Sequence, residues 1–91
     1  MYIYSLEKLE AWQEAKELTK EIYQLTKDFP DSEKFGLVSQ LRRASISVCS
    51  NLAEGSTRKS YKDKAYFSNI SFGSAVGVVN QLICASNLIL F

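Results

Sequence analysis

The last third of the chain carries no charged side chain, and this feature most constrains what the protein can fold into. No Asp, Glu, Lys or Arg occurs from Ala65 to Phe91. Apolar residues recur there on more than one face of a helix and no proline interrupts them, so the segment predicts a long helix that other protein surfaces must cover. A chain of 91 residues buries a smaller fraction of its surface than a larger domain does, so a fold of one such chain alone would be marginally stable. We therefore expect a second chain to contribute to the packing.

An amphipathic helix is predicted in the first third of the chain, over residues 6–29. Its apolar residues recur at steps of three and four and form one stripe, which is typical of a helix with a single buried face. These residues are Leu9, Trp12, Ala15, Leu18, Ile22, Leu25 and Phe29. Pro30 follows and is expected to end the helix.

A second helix is predicted over residues 32–55. Asp31 and Ser32 are candidates for its N-cap, because short side-chain oxygens accept hydrogen bonds from the free amides of a first helical turn. Gly55 suits a left-handed C-cap position. The predicted helix has two faces, one largely apolar and one polar.

The third helix is predicted over residues 60–90. Ser60 and Asp63 have the spacing of a capping box, with Asp in place of the usual Glu. Three long helices joined by short connections favour an all-α, antiparallel up-and-down bundle that resembles a four-helix bundle. We expect residues 1–91 to form a single domain.

Within the second helix, residues 41–55 read LRRASISVCSNLAEG. This stretch resembles the core motif of the 23S rRNA intervening-sequence protein family, also called the four-helix bundle protein family, through its RRA, its Ser and Asn, and its AEG. That family is widespread in bacteria and its biochemical role is poorly defined. Its members usually continue into a fourth helix, so the resemblance implies that this chain is short at its C-terminal end relative to the family.

The resemblance also implies self-association. Proteins similar to this family, the accessory proteins of diversity-generating retroelements, form pentameric barrels and bind nucleic acid with a basic surface. We therefore expect a homo-oligomer, with a pentamer as the assembly that the resemblance suggests.

One face of the second helix carries polar side chains that suit a hydrogen-bonded network. Arg43, Ser47, Asn51 and Glu54 lie on this face, and the planar guanidinium of an arginine pairs well with a carboxylate. Networks of this kind are more often structural than catalytic. We expect these four residues to form a polar network at a helix or subunit interface.

The middle of the chain is basic, whereas its first third is acidic. Basic residues with interleaved aromatics favour contact with a phosphate backbone and with exposed bases. The residues that we predict to bind RNA or DNA are Arg42, Arg58, Lys59, Tyr61, Lys62 and Lys64. The alternative is a purely structural or protein-interaction module, in which these side chains are only solvated.

The sequence offers little chemistry for catalysis. It has no histidine, and no nucleophile motif, phosphate-binding loop or dinucleotide fingerprint is recognisable. Cys49 and Cys84 have apolar or small neighbours and no secretory signal accompanies them, so we expect free thiols in a cytoplasmic protein. We predict no enzymatic activity, metal, cofactor or small-molecule substrate. Recurrent Ser and Asn residues in the uncharged segment argue against a membrane span.

Overall fold

The computed structural model describes residues 8–88, which form three long helices. Helix α1 spans Glu10–Thr26, α2 spans Leu37–Ser56 and α3 spans Tyr61–Asn87. A short 3-10 helix, Asp31–Glu33, lies between α1 and α2. No strand occurs in residues 8–88. The prediction of an all-α helical bundle is confirmed.

Helix α1 is shorter than its predicted range of 6–29. It begins at Glu10, and it ends at Thr26, whose hydroxyl donates to the Ile22 carbonyl at 2.7 Å. The end comes before Pro30 because the residue preceding a proline is disfavoured in a helical conformation. The chain turns instead, with the Phe29 amide donating to the Thr26 carbonyl at 3.1 Å. Residues 6 and 7 lie outside the described range.

Helix α2 begins five residues later than predicted, so the expected N-caps are wrong. Asp31 lies in the 3-10 helix, where its carbonyl accepts from the Lys34 amide at 3.1 Å, and Ser32 follows it. The N-cap is Gly36, and no side chain caps the first turn. After proline, glycine is the residue type that least favours continuous helix, and the chain changes direction there.

The predicted C-cap role of Gly55 is also wrong, because Gly55 lies inside α2 and is buried. The helix ends at Ser56, followed by Thr57 in a right-handed conformation. By contrast, the predicted cap of the third helix is confirmed, since the Ser60 hydroxyl accepts from the Asp63 amide at 3.1 Å. Helix α3 begins at Tyr61, and the predicted end at residue 90 lies outside the described residues.

Helix α2 runs antiparallel to both of its neighbours. The Thr19 hydroxyl reaches the Ser45 carbonyl at 3.2 Å, whereas Arg42 reaches back to Thr26 at 2.9 Å, so α1 and α2 point in opposite directions. No Cα atom of α1 lies within 8 Å of one in α3 among the described residues. Helix α2 is therefore the central element of the subunit.

The hydrophobic core joins all three helices. Its centre is Leu41, which has no exposed surface, together with Val78, which is 2% exposed. The other buried members of the cluster are Ile22, Phe29, Val38 and Ala85. The predicted apolar stripes of the first two helices point into this core, as their spacing requires.

Helix α3 is not covered on all sides within the subunit, contrary to the simple expectation for a helix that is apolar all round. Four large apolar side chains of α3, namely Phe72, Val76, Val79 and Ile83, are between 52% and 71% exposed. We call them the outward stripe. Their spacing of four, three and four residues places them on one line of the helix.

By length and composition, α3 is also the one helix in residues 8–88 that could cross a membrane, with a mean hydropathy of 1.2 over its most apolar window. Only 11% of that 18-residue stretch is buried. A core helix of a soluble protein satisfies the same criteria, so this property does not by itself indicate a span.

Candidate nucleic-acid interface

The connection between α2 and α3 brings five of the predicted binding residues together. We call Arg58, Lys59, Tyr61, Lys62 and Lys64 the basic turn. Apart from the half-buried Lys64, all of them are exposed, and the Tyr61 side chain is 92% exposed. Four cations stand here against the carboxylates of Glu54 and Asp63, a balance of +4 − 2 = +2 from residue 54 to residue 64.

Arg58 is the most firmly held member of the basic turn. Its guanidinium pairs with the carboxylate of Glu54, one helical turn earlier. The same group lies 4.8 Å from the centre of the Phe67 ring, which makes an edge contact with the Tyr66 ring at 5.1 Å. This geometry fixes the direction of Arg58 and neutralises part of its charge, whereas Lys59 and Lys62 remain the freely accessible cations.

Close packing of α2 on α3 sets the shape of the basic turn. A Cβ atom at Gly55 would lie 3.1 Å from the Cβ atom of Phe67 and 3.7 Å from the Lys64 carbonyl oxygen. Only a residue without a side chain permits this approach at no cost. The glycine of the AEG sequence therefore serves helix packing beside the basic turn.

Arg42 lies away from the basic turn, near the opposite end of α2. Sixteen residues separate Arg42 from Arg58, which corresponds to about 24 Å along a helix. Its Nε atom donates to the Thr26 hydroxyl at 2.9 Å and its Nη2 atom to the Tyr23 carbonyl at 3.3 Å, while the guanidinium lies 4.4 Å from the centre of the Tyr23 ring. Arg42 thus fastens α2 to the end of α1.

Two of the four residues expected to form a polar network are brought together, and a serine of α3 joins them. The Ser47 and Ser74 hydroxyls lie 2.8 Å apart, and the Asn51 amide nitrogen donates to the Ser47 hydroxyl at 3.0 Å and to the Ser47 carbonyl at 2.9 Å. Arg43 is exposed and forms no hydrogen bond or ion pair within residues 8–88. Glu54 pairs with Arg58 instead.

Ser71 of α3 extends this seam between the helices. The buried Ser71 hydroxyl donates to the Val48 carbonyl of α2 at 2.9 Å, whereas the Ser45 hydroxyl donates within α2, to the Arg42 carbonyl, at the same distance. The sequence shows Ser71 and Ser74 seven and four residues before Val78, on the buried side of α3. Helical spacing alone therefore signalled their position, but not their partners.

The two cysteines are free and have different surroundings. Cys49 is half-buried, with its sulfur 3.4 Å from the Thr19 hydroxyl, and Cys84 is exposed on α3. Within the described residues, no group of three or more His, Cys, Asp or Glu side chains is positioned to hold a metal ion.

A model of the 23S rRNA-intervening sequence protein family matches residues 7–91, which is nearly the whole chain. The chain belongs to this family. No curated protein matches the sequence. The motif from residue 41 to residue 55, which first suggested the family, forms most of the central helix α2.

Membership of the 23S rRNA-intervening sequence protein family agrees with the all-α fold, and the family's name refers to an rRNA insertion and to no reaction. In this member, the polar residues of the motif divide into three groups. Ser47 and Asn51 face α3, Arg42 faces α1, and Arg43 faces solvent. The motif therefore combines helix packing with one exposed cation.

Proposed function

We propose that this protein is a non-enzymatic homo-oligomer that binds RNA or DNA through the basic turn. The observation that carries the proposal is the exposure of Lys59, Lys62 and Tyr61 close together at the junction of α2 and α3, beside the packing of Gly55 on Phe67. Exposed cations of this kind neutralise phosphates, and an exposed tyrosine offers a surface for a base.

The oligomeric part of the proposal is supported by the outward stripe of α3. Monomeric soluble proteins rarely expose a continuous row of large apolar side chains, and such rows are typical of interaction surfaces. Self-association would also repeat the basic turn, so that several weak contacts act together and increase the apparent affinity. The pentamer and the cytoplasmic location expected from the sequence belong to this proposal.

The test compares two triple variants in binding to single-stranded and to structured RNA. Arg58, Lys59 and Lys62 are changed to Ala together. The matched control changes three exposed lysines to Ala, namely Lys16 and Lys20 on α1 and Lys27 directly after it. We expect only the first variant to bind more weakly and to show a smaller salt dependence, by roughly 0.7 to 0.9 units of slope per lost phosphate contact. Light scattering on the same samples gives the number of subunits.

A second function, that of a structural or protein-interaction module, is favoured by the pairing of Arg58 with Glu54, which reduces the free charge of the basic turn. This alternative predicts a discrete oligomer whose wild-type form shows no salt-sensitive binding to either RNA. Equal losses in the two triple variants would likewise argue against the basic turn as a specific surface.

A further inference from the structure

A second surface with aromatic and basic side chains lies at the other end of α2. It is an open groove of about 400 Å³ between the end of α1, the loop before α2 and the first turns of α2. We call it the aromatic groove. Its lining residues are Tyr23, Lys34, Phe35, Val38, Ser39, Arg42, Arg43 and Ile46.

The aromatic groove presents flat apolar surface to solvent. Phe35, in the loop that joins the 3-10 helix to α2, is 91% exposed. Tyr23 and Ile46 are also exposed beside it, at 38% and 43%. A single exposed apolar residue is ordinary in a folded protein, but three around one groove indicate a contact surface.

All charged side chains that line the aromatic groove are positive. Lys34, Arg42 and Arg43 line it, and no carboxylate does. Arg42 is committed to Thr26 and to the Tyr23 ring, so it holds the tyrosine in place, whereas Arg43 is exposed and unpaired within the described residues. The Lys34 ammonium lies 5.8 Å from the centre of the Phe35 ring. Cations therefore flank each aromatic ring.

We infer that the aromatic groove binds unpaired nucleotides of a single-stranded nucleic acid. In this arrangement a base stacks on Phe35, Arg43 and Lys34 pair with the adjoining phosphates, and Arg42 acts as a positioning residue through Tyr23. We favour a nucleotide strand over an acidic peptide, because every nucleotide carries both a flat base that can cover Phe35 and a phosphate that can pair with the flanking cations. A duplex is disfavoured since its bases are already stacked on each other.

This inference rests on the proposed nucleic-acid binding and adds to it a preferred class of ligand. The aromatic groove lies about 24 Å along α2 from the basic turn. One strand can therefore contact both surfaces of a subunit, with phosphates at the basic turn and an unstacked base at the groove.

The experiment measures binding of a labelled oligouridylate, an abasic strand of the same length and a blunt RNA duplex to the full chain. Phe35 is changed to Ala and, conservatively, to Trp, and the control is Leu88→Ala, which removes an exposed apolar side chain at the end of α3 and outside the outward stripe. We expect Phe35→Ala to weaken oligouridylate binding roughly tenfold, in line with the loss of one stacked base. Binding of the abasic strand should be unchanged, Phe35→Trp should retain the wild-type affinity, and Leu88→Ala should have no effect.

Several results overturn the inference, and they separate it from the proposed function. If the triple variant of the basic turn loses binding but Phe35→Ala does not, the groove is not a contact and the proposed function stands. Equal losses for oligouridylate and the abasic strand would show that Phe35 does not stack on a base. Poly-glutamate serves as an additional probe for acidic peptides. If the wild-type protein binds it and Phe35→Ala abolishes that binding but no strand binding, the groove is a site for acidic protein. If wild type binds no strand, the proposed function fails together with the inference.

Discussion

Helices α2 and α3 pack against each other in antiparallel fashion, yet they satisfy their apolar surfaces in different ways. The apolar face of α2 is covered by α1 on one flank and by α3 on the other, and Leu41 at its centre has no exposed surface. Helix α3 is covered on the side that carries Ser71, Val78 and Ala85, while the outward stripe remains in solvent. A helical repeat of apolar residues thus fixes which residues share a face, but burial requires a neighbour.

The largest test of this difference is a pair of truncations, Leu41→Ala on α2 and Val79→Ala on α3. Leu41 is fully enclosed, so its truncation should lower the free energy of unfolding by about 2–5 kcal/mol. Val79 is 57% exposed, and its truncation should cost less than about 0.5 kcal/mol in the dilute protein. Urea unfolding followed by circular dichroism gives both values.

A dependence of the Val79→Ala effect on protein concentration would sharpen the comparison, because it would show that a second chain covers the outward stripe. Equal losses for the two variants at high dilution would contradict the claim that only the α2 face is buried within the subunit.

A pair of glycine substitutions distinguishes the covered and uncovered parts of the helices. Gly55→Ala would bring a methyl group to 3.1 Å from the Phe67 Cβ atom, which the backbones hold in place, so we expect a net loss of about 1 kcal/mol. No atom lies within 4 Å of the corresponding position at Gly77, and Gly77→Ala should stabilise the helix by roughly 0.5–1 kcal/mol. Thermal unfolding measures both, and effects of the same sign would speak against this assignment of contacts.

The next effect comes from the buried hydrogen bond that joins Ser71 on α3 to α2. Ser71→Ala removes a buried hydroxyl that donates to the Val48 carbonyl, and the expected cost is about 1 kcal/mol. Ser86 is exposed on the same helix, so Ser86→Ala serves as the control and should be close to neutral. If the two serines cost the same, the α2–α3 contact does not depend on this hydrogen bond.

The smallest effect is expected for Glu54→Gln, which removes the ion pair with Arg58. The two side chains are 50% and 40% exposed, so solvent screens their attraction and the cost should be below about 0.5 kcal/mol, decreasing further with added salt. A larger loss that salt does not reduce would show that this pair is part of the folded core. Binding of RNA by the same variant should be retained or increased, since Arg58 gains free charge.

Much of the fold was predictable because it follows from local patterns. The apolar stripes of α1 and α2, the uncharged stretch of the third helix and the Ser60 cap each follow from residue types within a single segment of the chain. The boundaries near residue 30 were predicted less well. Asp31 and Ser32 have the chemistry of N-caps, but the 3-10 turn after Pro30 uses the backbone of Asp31 instead, and α2 starts only after Gly36.

The candidate interface likewise has one part that the sequence predicted and one part that it did not. The five residues of the basic turn are neighbours in sequence, so their proximity could be predicted without the structure. The partners of Arg42 and Ser47 required the structure, because each depends on which helix lies across from it. Glu54 pairs locally, with Arg58 four residues later. Phe35 and Tyr23 were not recognised as binding residues, since a phenylalanine that follows an amphipathic helix gives no local sign of whether it will be buried.

The sequence by itself determined the helical class, the family, the position of the motif from residue 41 to residue 55 on the second helix and the clustering of four cations between residues 58 and 64. These properties depend on residue type and on the helical repeat. Only the tertiary structure decided that Gly55 serves helix packing, that Arg42 fastens α1, and that the outward stripe and Phe35 face solvent. The physical reason is that burial, pairing and close approach are relations between segments distant in sequence, and no single segment contains its partner.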